Sequence, residues 1–223
     1  PENRGGFVVG THWYTGEVMA SMFNLSEDFI PVAFWQDRED MFVDPDGTRP
    51  VSAASVAAYT RIPNRIVNAR WVGESAKQDL EIDDFMHIPV GVDTLKFYPG
   101  KRNGGPVRVL VMHRPSTPRR GAARMRKLYP KLKKRFGENV LVETFGEPCT
   151  WSDHHYGHLS QDGVAEILRQ VDVLVEPSEY QGFGLPGLEA LATGVCLVST
   201  DNKGIHEYGV HNENCLIEGE KSL

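Results

Sequence analysis

The sequence predicts an α/β protein built of two Rossmann-like parallel-sheet domains, the first of them incomplete. Three observations carry this. Short apolar runs alternate with amphipathic, helix-length segments along most of the 223 residues, the pattern of strands joined by helical crossovers. The stretch 101–106, KRNGGP, is charged, glycine-rich and closed by proline, so it reads as a linker between residues 1–100 and residues 101–223. The stretch 171–200, VDVLVEPSEYQGFGLPGLEALATGVCLVST, holds a glycine turn and a compact helix between two apolar runs, which makes one βαβ unit.

Within that unit Val171 to Val175 is apolar and mostly β-branched, as a strand buried on both faces should be, and Pro177-Ser178 ends it. Gln181-Gly182-Phe183-Gly184 forms the turn. Pro186 suits the first helical turn, where a missing N–H is harmless; Leu188, Leu191 and Ala192 give an inward stripe, and Gly194 stops the helix. The strand Val195 to Ser199 follows, with Cys196 expected inside it as a buried thiol. Free amides of Gly184, Leu185 and their neighbours at the helix start would point at an anion, so this end of the unit looks built for phosphate.

The first half begins with Gly6 to Gly10, read as a short buried strand, followed by the loop Thr11 to Gly16 and a helix carrying Val18, Met19 and Met22. His12 lies in the loop after the strand's carboxyl end, where ligand-facing side chains gather in open α/β sheets. It is a candidate ligand contact, the plainer alternative being a loop histidine packed under Trp13. Ile30 to Trp35 is a second strand. The polar run Gln36-Asp37-Arg38-Glu39 after it is either a cleft wall or a solvated loop in which the Asp37 and Arg38 charges carry little weight. Asp46-Gly47 marks a turn, residues 51–59 a helix, 65–68 a strand, 71–80 a helix and 85–88 a strand closed by Pro89.

Val107 to Met112 opens the second sheet and runs into His113 to Gly121, a loop with three guanidinium groups, Arg114, Arg119 and Arg120, stiffened by Pro115 and Pro118. Arginine is the side chain best suited to paired contacts with phosphate oxygens. From Arg119 to Arg135 there are nine basic residues and no acidic one, while Met125, Leu128, Tyr129, Leu132 and Phe136 recur at helical spacing. That is an amphipathic helix with a solvated basic face, expected to be kinked or interrupted at Pro130. A sharper reading has the face touching anionic lipid. Val140 to Phe145 is the next strand. The loop after it contains Asp153, His154, His155 and His158, but no HExxH or CxxC partner, so no metal is expected. A helix over 161–170 leads into the βαβ unit, residues 200–208 form a strand-end turn, and Leu216-Ile217 is a last strand.

Composition narrows the class. The net charge of −6 gives no global reason to bind nucleic acid. Three cysteines without CxxC spacing suggest reduced thiols and a cytoplasmic setting. No apolar run approaches the roughly 20 residues of a membrane span. The chain begins with Pro1 and a strand follows almost at once, so the expectation is that it starts partway through its first domain.

PSEYQGFGLPGLEALATG followed by STDNKGIHEYGVHNENCLI resembles the donor-binding signature of family-4 retaining glycosyltransferases of the GT-B fold. IPVGVDTLKFYPG is similar to that family's interdomain crossing, and VRVLVMHRPSTPRRG to its first C-terminal strand with phosphate-gripping basic residues. The resemblance spans roughly residues 86–218. It implies a retaining, metal-independent hexosyltransferase that takes sugar from a nucleotide-diphosphate sugar to a glycan or lipid-linked hydroxyl, needs no separate cofactor, and works in the cytoplasm, peripheral at most to the inner face of a membrane. Arg114 matches the family's arginine; its lysine is replaced by Arg119 or Arg120. His12, Arg114, Arg120 and Gln181 are thereby the candidate catalytic residues, and Arg119, Gly182, Phe183, Gly184, Leu185 and Glu189 the candidate donor-binding ones. The backbone of Gly157-His158-Leu159 is implied to lie near the base. The family usually has Glu, seven residues, then Glu; the second is Glu189 here, and the first position holds Gln181. An amide cannot be a nucleophile or a general base, so double displacement through this residue is excluded, whereas front-face attack tolerates it. A non-catalytic nucleotide-sugar-binding or scaffolding module, or a nucleotide-sugar epimerase on the same fold, are the alternatives.

Overall fold

The structure is a computed structural model and describes residues 6–23, 29–42, 48, 52–102 and 104–219. The chain divides into two compact units, residues 1–90 and 91–223. The turn expected at Asp46-Gly47 lies outside the described residues.

The first unit alternates β1 (Gly6–Gly10), α1 (Trp13–Phe23), β2 (Phe29–Trp35), α2 (Ser52–Arg61), β3 (Asn64–Val67), α3 (Arg70–Leu80) and β4 (Met86–His87). Its four strands lie in the order β1-β2-β3-β4, all parallel. The core is formed by Trp35, Tyr59, Val67, Val72 and Ala76, with the Trp35 and Tyr59 rings 4.5 Å apart. Two expectations are corrected. β1 is not buried: among the described residues it is an edge strand paired only with β2, and Phe7 and Val9 are exposed at 72% and 51%. Arg38 is no solvated charge either. It is 2% exposed, its Nε and Nη2 donate to the two oxygens of Asp40 at 2.8 and 2.7 Å, and its Nη1 donates to Asp79 and to Ser75. A buried guanidinium keeps its charge only when its donors are spent in this way.

The second unit comprises β5 (Val107–His113), α4 (Ala122–Phe136), β6 (Val140–Gly146), β7 (His154–His155), α5 (Gln161–Leu168), β8 (Val173–Glu176), α6 (Leu185–Ala192), β9 (Cys196–Thr200) and β10 (Cys215–Glu218). The sheet order is β10-β9-β8-β5-β6-β7, again parallel throughout. Successive residues of β5 serve opposite faces, as strand periodicity requires. Val109 and Val111 pack with Met125, Val140 and Val142 under α4, whereas Leu110 joins Leu168, Ala190 and Leu197 under α5 and α6. Residues 91–102 are laced onto this unit. Phe97 is 1% exposed in its core, Arg102 donates to the carbonyls of Val171 and Gly194, and Arg169 lies over the Tyr98 ring. Arg102 lies inside the stretch read as a linker, 101–106, so the packed segment reaches into it.

Two more expectations fail here. α4 runs unbroken through Pro130. The carbonyl four residues earlier, on Arg126, loses its helical donor, but both residues face solvent, and packing of Met125, Tyr129 and Leu132 on the sheet holds the helix together. Cys196 is exposed, because it opens β9 at the strand's amino end and its neighbours Val195 and Leu197 take the inward positions.

Candidate functional site

A parallel sheet sends all its strand carboxyl ends to one edge. In the second unit the chain leaves β5 toward β6 on one side, while β8 and β9 lie on the other, so the order reverses between β5 and β8. Ligands of open α/β sheets bind at such a reversal, outside the carboxyl ends. The loops issuing there are 114–121 after β5 and 177–184 after β8, and they are stitched together. Arg119 donates from Nη1 to the Tyr180 carbonyl at 3.3 Å, its guanidinium lies 5.1 Å from the centre of the Tyr180 ring, and its own carbonyl accepts from Glu179 N–H at 2.8 Å. Gly121, at φ +75°, sits so close to Pro177 that a Cβ there would lie 2.1 Å from the proline carbonyl oxygen.

The second loop is anchored from below by a buried polar network. Glu176, Ser178, Gln181, Ser199, Thr200 and Asn202 are all at most 8% exposed. Ser178 Oγ donates to Glu176 Oε1 at 2.5 Å, Gln181 Nε2 donates to Ser178 Oγ at 3.1 Å, and Gln181 N–H donates to the Asn202 carbonyl at 2.9 Å. Asn202 in turn donates to Ser199 Oγ and accepts from Ile205 N–H. Gly184, at φ +90°, ends the turn as the N-cap of α6, with Pro186 in the first helical turn. Its carbonyl accepts from Tyr208 Oη at 2.6 Å, and the Tyr208 ring packs on buried Phe183. The residues Gln181 to Leu185 thus form one contiguous, tightly held turn leading into a helix start. Gly182 and Gly184 are buried, while Leu185 is exposed.

The remaining candidates spread to either side. Arg114 is exposed, with its Nε 3.9 Å from Glu147 after β6. Ser116 bonds Glu147 through both its hydroxyl and its amide, which holds that carboxyl below the usual carboxylate range. Arg120 is half-buried between Arg119 and Gly121. Glu189 lies in the second turn of α6, half-buried; burial pushes its carboxyl up, partly offset by a bond from Gln161 and the charge of Lys96. It therefore faces the start of α5, next to the 157–160 loop. His154 and His155, in the loop read from the sequence, form β7, with His155 Nδ1 3.0 Å from the Thr144 hydroxyl.

His12 belongs to the first unit. Its Nε2 lies 3.4 Å from Glu39 Oε1. The other oxygen of Glu39 accepts from Trp13 N–H at 2.7 Å and Tyr59 Oη at 2.8 Å. Burial raises the Glu39 carboxyl and, with the adjacent Glu39 charge, raises Tyr59 far above the ordinary phenol value. Tyr59, Glu176 and Ser178 are not singled out by the sequence, and Glu39 enters it only as the last residue of the polar run read as a cleft wall or a solvated loop. The one visible signal was Glu176, a carboxylate at the end of an otherwise apolar strand run.

Two parallel-sheet α/β units, the second carrying a glycine turn and helix start at its strand-order reversal, make up a GT-B-type fold shared with solved structures. Comparison with known proteins sharpens this: residues 152–222 match the family described as glycosyl transferases group 1. The chain is 25% identical over 166 residues to the MMP alpha-(1->4)-mannosyltransferase of Mycolicibacterium hassiacum, covering 65% of this chain and 39% of that protein. Among solved structures it is similar to sucrose-phosphate synthase of Thermosynechococcus elongatus, with TM-score 0.77, 14% identity, and coverage of 95% of this chain and 60% of that one. It is also similar to Anabaena HepE in complex with UDP and glucose, with TM-score 0.75, 13% identity, and coverage of 95% and 63%. TarM gives TM-score 0.74 at 15% identity, with 95% and 44% covered. The chain spans less than two thirds of each of these proteins.

Proposed function

We propose that the chain is part of a family-4 retaining glycosyltransferase, which moves a sugar from a nucleotide-diphosphate donor to a hydroxyl on a glycan or lipid-linked acceptor. The observation that carries the reading is the pair of loops at the β5/β8 reversal: one bears Arg114, Arg119 and Arg120, and the other presents the turn Gly182 to Leu185 at the start of α6. Guanidinium groups and preorganised amide dipoles are what a departing diphosphate requires, and in this reading they replace a divalent cation. Glu189 accepts the ribose hydroxyls, with Gly157 to Leu159 beside the base. His12 serves the sugar or acceptor. Because Gln181 is an amide, retention proceeds by front-face attack, the donor phosphate taking the acceptor proton.

The capture of the structurally similar HepE with UDP and glucose supports a UDP-type donor. Among the described residues no helix is long and apolar enough to cross a membrane. Arg124, Arg126, Lys127, Lys131, Lys134 and Arg135 are exposed on α4 beside exposed Leu128 and Phe136, which supports peripheral contact with anionic lipid in a cytoplasmic protein. The deciding experiment is incubation with UDP-glucose, UDP-N-acetylglucosamine and GDP-mannose plus mixed glycan acceptors, with and without EDTA, read by NMR. An α-linked product formed equally in EDTA is expected; binding with neither transfer nor hydrolysis would point to a binding module instead.

A further inference from the structure

The amide at position 181, where the family resembled carries a carboxylate, is a requirement of what lies beneath it. A serine hydroxyl has one proton. At 2.5 Å from Glu176 Oε1, the Ser178 proton is committed to that carboxylate. Ser178 N–H bonds the same oxygen at 3.2 Å. The Ser178 oxygen can then only accept from residue 181, and the Gln181 amide nitrogen supplies the donor at 3.1 Å. This settles the orientation of the amide: its carbonyl oxygen turns toward the start of α6, 3.8 Å from the point that a Cβ on Gly184 would occupy. An ionised Glu at 181 would set an acceptor against an acceptor and a second negative charge near Glu176, at a place only 3% exposed.

We propose that Gln181 is a positioning residue: the relay Glu176–Ser178–Gln181 holds the glycine turn 182–185 in register for the donor's phosphates, and the negative charge expected at 181 is carried instead at 176. Gln181 anchors the entry of the turn twice, through its N–H on the Asn202 carbonyl and its side chain on Ser178, while Tyr208 holds the far end through the Gly184 carbonyl. The other ionisable groups around it are Tyr208, which feels the Glu176 charge, Lys203, whose backbone pairs with that of Gln181, and Arg119 on the facing loop. The proposal rests on the donor-site reading for its link to phosphate; the relay itself does not.

The test compares the whole chain with Q181E, E176Q and E176Q/Q181E. Affinity for UDP is measured by calorimetry, and melting temperature is followed at pH 5.5 and 8. At pH 8, Q181E is expected to bind UDP about tenfold more weakly and to melt lower, since a buried acceptor pair faces no proton. At pH 5.5 the new carboxyl takes up a proton, donates to Ser178 as the amide does, and both losses shrink. In E176Q/Q181E the serine proton is released from position 176 and can turn to the carboxylate at 181, so melting and UDP affinity recover at pH 8. Equal losses for Q181E at both pH values, or a double variant no better than Q181E, would overturn the relay. Absence of UDP binding by the unaltered chain would overturn the donor reading, and the melting temperatures alone then decide the relay.

Discussion

Substituting Gly121 by Ala tests whether the two loops at the β5/β8 reversal work as one piece. Gly121 has φ +75° and ψ +17°, a left-handed conformation that an L-residue enters at a cost of about 1–2 kcal/mol. The added Cβ would also lie 2.1 Å from the Pro177 carbonyl oxygen and 2.7 Å from its carbonyl carbon, both rigid backbone atoms. Relief requires the 114–121 loop to draw away from 177–184, breaking the Glu179 N–H bond to the Arg119 carbonyl and the Arg119 contact with Tyr180. Two hydrogen bonds at about 1 kcal/mol each, added to the dihedral strain, bring the total to about 3–4 kcal/mol. Gly137 is the control: it has φ +54° and ψ −129°, at least as forbidding a backbone, yet a Cβ there meets nothing within 4 Å. Its Ala variant should cost about 1–3 kcal/mol. Urea titration of both variants, with UDP affinity by calorimetry, gives the comparison. G121A should be the less stable and lose UDP affinity, while G137A keeps it. If G137A proves as damaging as G121A on both counts, the loops are not coupled through Gly121.

Three further outcomes follow from the geometry. Replacing Arg38 with Met leaves the buried Asp40 carboxylate without its partner and should destabilise the first unit by about 3–5 kcal/mol, seen as lost hydrogen-exchange protection in α3. Burial raises the Glu189 carboxyl, so its folded form holds a proton more tightly than its unfolded form. The stability this lends is present below the ordinary carboxylate value and is lost as pH rises through the raised one. E189Q should therefore flatten the decline in urea midpoint between pH 4 and 7 while weakening UDP binding, and an unchanged pH slope would contradict this. H12A should cut sugar transfer at least tenfold yet leave UDP affinity within about twofold, since His12 lies in the first unit and the proposed phosphate site in the second.

The second half was legible because its signals are local. Gly184 at positive φ, Pro186 in the first helical turn and Gly194 at φ +70° each act within a few residues, and the helix α6 and its flanking strands fall where they direct. What escaped was set by partners far along the chain. Arg38 reads as a solvated charge until Asp79, 41 residues on, is seen to meet it, and Glu39 acquires its environment from Tyr59, 20 residues away. Pro130 misled in the opposite direction: a local breaker was overruled by the side chains that pin α4 to the sheet. Gln181 is the exception, since the partners that give it its proposed role, Glu176 and Ser178, are close in sequence, and what the sequence does not show is that their side chains bond in series.

The exposed thiol at Cys196 offers a practical handle. It opens β9 at the amino end, whereas the arginine and glycine loops lie at the carboxyl ends, so about five residues of strand, roughly 15 Å, separate a dye attached there from any nucleotide. Cys215 is buried and Cys149 half-buried, which makes Cys196 the most accessible of the three cysteines to a maleimide. A fluorophore at that position could report ligand arrival without standing in its way.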